Sequence, residues 1–163
     1  MTDRISDLLG IVREEINLYR DLVEHARRKT SLLVQGSVES ILESNKIEES
    51  FNSRLRELEL EMTHLCDELS TAFRIPREEF TLMKLADNLE QSLALEIRAQ
   101  TALFQNHIQQ LKSVSQRNMR LIEKLCQYSR GLLAILSNAS GSYRKSGLFE
   151  QMPSIQPTFS QRA

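Results

Sequence analysis

The chain has 163 residues, of which 40% are hydrophobic and 26% charged, and its formal net charge is -1. This balance suits one domain with a modest core and excludes a strongly basic nucleic-acid-binding protein. No apolar run approaches the roughly 20 residues of a membrane helix, and the N-terminus lacks the pattern of a secretory signal. The two cysteines, Cys66 and Cys126, are too few for a disulfide framework or a four-cysteine zinc site. We therefore expect a cytoplasmic protein.

The first 35 residues carry apolar side chains at alternating steps of four and three, which predicts one long helix over about 3–35. Gly36 suits the left-handed position that ends a helix, and Ser37 suits the N-cap of the next one. A seam with this heptad spacing favours packing against a second helix. Its members are Ile5, Leu9, Val12, Ile16, Tyr19, Val23, Ala26, Thr30 and Leu33.

A second seam predicts a helix over about 38–73, which ends before Pro76 because proline cannot continue a helix. The short turn between the two seams predicts an antiparallel helical hairpin. The second seam consists of Phe51, Leu55, Leu58, Met62, Leu65, Leu69 and Ala72.

The third and longest seam predicts a helix over about 82–138, for which Thr81 is a candidate cap. A second apolar row, Met119, Ile122, Leu133 and Leu136, widens the apolar arc of its C-terminal half. Either this half packs against both other helices, or part of it awaits a partner helix. The seam runs through Leu89, Leu93, Ile97, Gln100, Phe104, His107, Leu111, Val114, Asn118, Leu121, Leu125, Tyr128, Leu132 and Ile135.

These elements predict an all-α protein in which an antiparallel hairpin of long helices and a third long helix form a coiled-coil-like bundle. We expect the bundle to occupy residues 1–139 and a flexible, partner-binding tail to occupy residues 140–163. The tail combines Gly, Ser and Pro with large apolar residues, a composition typical of a segment that orders on binding.

Two patterns resemble catalytic or metal sites. Glu61 and His64 form an ExxH motif on a helix, but di-iron bundles use a pair of these and no second copy exists. His25, beside Arg27 and Arg28, fits a histidine phosphotransfer domain, although cations near a helix C-terminus also favour the helix dipole. We expect no catalytic residue, no cofactor and no metal, and the histidines to be chemically idle.

The chain resembles the FlgN-type flagellar export chaperones, the type III secretion chaperones of hook-associated proteins. The turn "LVQGSVESILESNKIEESFNSRL" is similar to the small-residue turn of that family and the leucine-rich helix that follows it. "NMRLIEKLCQYSRGLLAIL", which begins at Asn118, resembles the family's last helix. "GSYRKSGLF" resembles its Tyr-x-x-x-Gly element, here Tyr143 and Gly147.

The resemblance implies a non-enzymatic, cytoplasmic chaperone. It would bind C-terminal helical segments of the hook-filament junction proteins, prevent their premature assembly and deliver them to the export gate. Tyr143 and Gly147 would dock on the cytoplasmic domain of the gate. The end of the last helix and the tail would hold the client. The client residues implied are Asn118, Ile122, Leu125, Leu132, Leu133, Leu136, Leu148, Phe149 and Met152.

Two other functions remain open from the residues alone. A structural coiled-coil or adaptor protein without an export role predicts a dispensable tail. A phosphotransfer domain predicts phosphorylation of His25. A homodimer could also satisfy the wide apolar arc of the third helix. We expect neither nucleic-acid binding nor direct membrane insertion.

Overall fold

Three long helices make up most of the protein. The computed structural model describes the backbone of residues 2–141 and the side chains of residues 3–137. Helix α1 spans Thr2–Gln35, α2 spans Val38–Phe73, a short α3 spans Leu82–Ala86, and α4 spans Gln91–Gly141. Within residues 2–141 there is no strand, so the all-α prediction is confirmed. The chain divides into two compact units, Met1–Glu123 and Lys124–Ala163.

The turn between α1 and α2 lies where the sequence predicts it. Gly36 adopts a left-handed backbone with φ 72°, a conformation that costs glycine little because it has no Cβ. Ser37 is the N-cap residue of α2, but its side chain does not cap the helix. Its hydroxyl donates instead to the hydroxyl of Ser40 over 2.8 Å, so the expected cap hydrogen bond is absent at Ser37.

Helices α1 and α2 run antiparallel. Arg4 near the start of α1 pairs with Glu68 near the end of α2 at 3.2 Å. Lys29, late in α1, pairs with Glu48, early in α2, at 2.6 Å. Rising numbers on one helix therefore meet falling numbers on the other, and the predicted hairpin is confirmed.

Helix α4 runs parallel to α1 through the first unit. The rings of Tyr19 and Phe104 meet edge to face with centroids 5.1 Å apart, a geometry that aromatic pairs prefer. Further along both helices, Asn118 is hydrogen-bonded to Ala26 and Thr30. The first unit is therefore an up-down-up arrangement of three helices.

The connector between α2 and α4 closes one end of this unit. Arg74 ends α2 in a left-handed conformation with φ 55°, and the N–H of Ile75 bonds the Ser70 carbonyl at 2.9 Å. A single turn of 3₁₀ helix, Arg77–Glu79, follows Pro76. The core at this end unites α1, α2, the connector and the start of α4. Its buried members are Ile5, Leu8, Leu9, Leu65, Leu69, Phe80, Leu85, Ala86, Ala94 and Ile97.

The third helix predicted over 82–138 is two helices. Thr81 does cap α3, since its side chain accepts from the Lys84 N–H at 3.1 Å, but α3 ends at Ala86. The Asn88 amide then donates to the Lys84 carbonyl at 2.9 Å, and the Leu89 N–H bonds Ala86 rather than Leu85. Such side-chain bonds of Asn compete with the helix ladder, and α4 begins afresh at Gln91.

The three seams are buried to different extents. Along α1 every seam residue is buried or half-buried. Along α2 the seam is inside from Phe51 to Leu69, whereas Ala72 is exposed. Along α4 the seam is buried or half-buried from Leu93 to Leu125, and every residue from Cys126 to Ser137 is exposed. The apolar pattern of α4 thus continues beyond the part of the helix that is covered.

Candidate functional site

The C-terminal part of α4 presents the largest run of exposed apolar side chains among the described residues. Leu133, Ile135 and Leu136 are 65%, 66% and 63% exposed, respectively. Tyr128 at 67% and Leu132 at 44% belong to the same run. Scattered exposed leucines are normal on a protein surface, but several within ten residues of one helix indicate a binding surface. We call these five residues the α4 apolar surface.

Most of the predicted client-binding residues with described side chains are accessible. Leu132, Leu133 and Leu136 are part of the α4 apolar surface, and Ile122, in the first unit, is 38% exposed. Leu125 is half-buried. The remaining client residues, Leu148, Phe149 and Met152, and the gate-docking residues Tyr143 and Gly147 lie outside the described residues.

Asn118 has a different environment from the other predicted client residues. Its side chain is buried, at 6% exposure. Its amide nitrogen donates to the Ala26 carbonyl at 2.8 Å, and its amide oxygen accepts from the Thr30 hydroxyl at 2.6 Å. Both ends of the amide are therefore used in joining α4 to α1. A heptad-seam amide of this kind fixes helix register.

Tyr128 and Ile135 belong to the α4 apolar surface but were not among the predicted client residues. Both residues occupy seam positions in the sequence, and seam positions are expected to be buried in the core. Seam spacing identifies the apolar face of a helix but does not show whether another helix covers it.

Charges at the end of α4 are one-sided. Lys124 and Arg130 lie between residues 124 and 137, and this stretch contains no Asp or Glu. Neither cation forms an ion pair with a residue that the structure describes, in contrast to Arg4, Lys29 or Arg54. The α4 apolar surface is therefore accompanied by positive charge that is available to a partner.

His25 is held between α1 and α2. Its Nε2 lies 3.1 Å from the Ser44 carbonyl oxygen and 3.0 Å from the Ser44 hydroxyl, and its side chain is only 13% exposed. Its ring also lies near that of Phe51. This environment explains His25 as a part of the hairpin interface, and it does not offer Nε2 to a phosphoryl donor.

The ExxH pair does not come together as a metal site. His64 is exposed and its Nδ1 pairs with Glu68 at 3.2 Å. Among the side chains of residues 3–137, no group of three His, Cys, Asp or Glu could hold a metal ion.

A carboxyl group inside the bundle is unexpected from the sequence. Glu15 follows a solvent-facing residue and precedes a seam residue, yet its side chain is 7% exposed. Burial, and to a lesser extent the Glu59 carboxylate, raises the pKa of Glu15 to about 7. Burial likewise raises the pKa of the neighbouring Tyr19 hydroxyl and of the Cys66 thiol. The raised pKa of Glu15 makes the hairpin sensitive to pH.

The described residues form an all-α protein, a hairpin with a third long helix whose C-terminal part carries an uncovered apolar face. The chain belongs to the FlgN family: the family model described as "FlgN protein" matches residues 1–150. FlgN proteins are flagellar export chaperones for hook-associated proteins, and they are not enzymes. Comparison with curated proteins and with solved structures gives no match. No helix of the described residues is long and apolar enough to cross a bilayer.

Proposed function

We propose that this chain holds C-terminal helical segments of the hook-filament junction proteins on the α4 apolar surface and the residues that follow. It acts in the cytoplasm, keeps these segments from assembling prematurely, and delivers them to the flagellar type III export gate. The observation that carries the proposal is the run of exposed apolar side chains from Tyr128 to Leu136.

The physical basis is burial of apolar surface between two helices. An amphipathic client helix that lies along α4 covers the α4 apolar surface and its own apolar face at the same time. Burial of a Leu or Ile side chain is worth roughly 1.5–3 kcal/mol, and part of this gain offsets the ordering of the client. The resulting affinity is moderate, which suits a chaperone that must release its client at the gate.

The candidate residues then have different roles. Leu132, Leu133 and Leu136 contact the client directly, and Leu125 adds to this contact. Ile122, which lies in the first unit, is a further client residue. Asn118 acts indirectly, because its bonds to Ala26 and Thr30 fix α4 against α1. Leu148, Phe149 and Met152 add client contacts, and Tyr143 and Gly147 dock the loaded chaperone on the cytoplasmic domain of the gate.

Co-purification from a flagellated cell tests the client assignment. We expect the tagged wild-type chain to capture the junction proteins, and Leu133→Ser combined with Leu136→Ser to lose them. The matched control is Leu95→Ser with Leu103→Ser, which changes two leucines that are 59% and 43% exposed elsewhere on α4. Capture that survives the first double substitution would remove the α4 apolar surface from the client site.

Sedimentation of the purified chain addresses a homodimer. Two copies could cover the α4 apolar surface mutually, and such a dimer would dissociate in the Leu133→Ser, Leu136→Ser variant. We expect the wild-type chain to bind a junction-protein fragment with one fragment per chain. A dimer that excludes the fragment, and that dissociates in the Leu133→Ser, Leu136→Ser variant, would show that the surface is used for self-association.

A further inference from the structure

The α4 apolar surface has charged edges, and these edges define what kind of helix can bind it. At about 100° per residue, Ile135, Tyr128, Leu132, Leu136 and Leu133 follow one another around about 160° of the helix circumference. The half-buried Leu125 falls within this arc, and Ser129 is the only polar residue there. The arc is wide enough to seat one partner helix.

Lys124 and Arg130 lie on opposite edges of this arc. By the same helical geometry, Lys124 lies about 20° outside Ile135, and Arg130 lies about 60° outside Leu133. Both are exposed, and residues 124–137 contain no carboxylate. The nearest carboxylate in the sequence, Glu123, is also exposed; it lies about 100° around the helix from Lys124 and seven residues before Arg130. A helix seated on the arc therefore has a cation on each side.

We propose that the α4 apolar surface selects an amphipathic helix whose apolar face is bordered by Asp or Glu on both edges. This inference rests on the proposed function, since it specifies the client class for the same surface. Acidic residues at both edges of the client would each pair with one cation, whereas Lys or Arg there would be repelled. The cations thus add selectivity to an apolar contact that discriminates little by itself.

A basic amphipathic helix could also lie on an anionic membrane surface. Two observations favour a protein helix. The stretch 124–137 carries only two cations, whereas membrane-surface helices are rich in Lys and Arg on the polar face. The chain also belongs to a family that binds hook-associated proteins.

Two synthetic peptides of about five helical turns test the selectivity, with the same leucine face and with either Glu or Lys at both edges. Fluorescence anisotropy with the full chain at low salt should show the Glu peptide binding about tenfold more tightly, the factor that two exposed ion pairs supply. High salt should reduce this preference, because it screens exposed charges. Lys124→Glu with Arg130→Glu should reverse it.

The control variant combines Lys46→Glu with Lys112→Glu. It changes the net charge equally at two exposed sites away from residues 124–137, and the preference for the Glu peptide should persist. Loss of the preference in this control would show that net charge, rather than the two edges, selects the peptide, and would overturn the inference.

The outcomes separate this inference from the proposed function. Equal binding of both peptides overturns the charge selectivity but leaves the chaperone function, provided that junction proteins are still captured. If neither peptide binds, the charge selectivity is overturned. If the junction proteins are not captured either, the chaperone function is overturned as well. The wild type could instead bind phosphatidylglycerol vesicles, lose this binding in the Lys124→Glu, Arg130→Glu variant, and show no preference between the peptides. That result would assign the surface to a membrane and overturn the inference.

Discussion

The Asn118 amide nitrogen donates to the Ala26 carbonyl oxygen across 2.8 Å, although the two residues are 92 positions apart in the chain. The Thr30 hydroxyl completes the cluster, because it donates to the Asn118 amide oxygen at 2.6 Å. Both partners lie in the last third of α1. A buried polar cluster in a mostly apolar seam specifies one register, because any other register leaves these groups unpaired in the interior.

Replacement of Asn118 by Ala should therefore destabilise the protein by about 1–3 kcal/mol. The variant loses two buried hydrogen bonds and leaves the Thr30 hydroxyl without its side-chain partner. Urea denaturation measures the difference. Asn45→Ala is the control, since Asn45 is exposed on α2, and it should change the stability by less than about 0.5 kcal/mol. Equal effects of the two substitutions would contradict a register role for Asn118.

The buried Glu15 predicts a pH dependence of stability. Burial raises its pKa in the folded protein from an ordinary value of 4.5 to about 7. Between these two pH values the folded state binds more protons than the unfolded state, so the stability falls as the pH rises. The loss is complete above about pH 7.

Glu15→Gln should remove this loss, since the amide is neutral at every pH. We expect the variant to be about 2–3 kcal/mol more stable than the wild type at pH 8 and to be nearly equal to it below pH 4.5. Denaturation across this pH range measures the difference. Glu61→Gln, at an exposed position of the same hairpin, is the control. A constant difference between Glu15→Gln and the wild type at all pH values would show that Glu15 is not the group responsible.

The sequence predicted the helix ends best where a single residue dictates the backbone. Gly36 and Pro76 fixed the ends of α1 and α2, and the observed ends at Gln35 and Phe73 agree. The break before α4 was missed because Leu85, Ala86 and Leu89 continue the apolar spacing across it. At the break, the Asn88 side-chain amide donates to the Lys84 carbonyl oxygen. The spacing of apolar residues does not reveal a side-chain hydrogen bond of this kind.

The site was predicted in part for a related physical reason. The apolar spacing along α4 is the same from Leu93 to Ile135, although these seam residues are buried or half-buried only as far as Leu125. Spacing measures amphipathicity, and the covering partner depends on the tertiary structure. For the same reason the sequence revealed neither the buried position of Glu15 nor the partners of Asn118.

Two leucines of α2 separate core from surface. Leu65 is 7% exposed within the core at the α3 end of the bundle, and Leu60 is 73% exposed. Leu65→Ala should cost about 2–5 kcal/mol because it leaves a cavity, whereas Leu60→Ala should cost less than about 0.5 kcal/mol. Leu125→Ala should fall between them, since Leu125 is half-buried. If thermal and urea denaturation gave similar losses for Leu65 and Leu60, the assignment of the α2 seam would be wrong.

His25 should not accept a phosphoryl group. Its Nε2 is directed at the Ser44 carbonyl and hydroxyl oxygens, so phosphorylation at Nε2 would have to displace Ser44 of α2. Incubation with a small phosphoryl donor should leave His25 unlabelled. His25→Gln should cost about 1 kcal/mol through the altered Ser44 contacts and leave client capture intact. Labelling of the wild type that the His25→Gln variant loses would restore the phosphotransfer alternative.

Tyr143 provides the test of whether client binding and gate docking use different residues. Its ring offers a large apolar contact and its hydroxyl one directional hydrogen bond, a combination enriched at binding hot spots. We expect Tyr143→Ala to leave the affinity for a junction-protein fragment nearly unchanged. The same substitution should weaken binding of the loaded complex to the gate domain by about 2 kcal/mol, or about thirtyfold.

Tyr128→Ala is the control, since Tyr128 belongs to the α4 apolar surface. This substitution should weaken binding of the client fragment and leave gate docking intact. Calorimetry of both variants with both partners measures the four affinities. If Tyr143→Ala weakened binding of the client fragment and left binding to the gate domain unchanged, Tyr143 would be a client contact. The proposed division of roles would then be reversed.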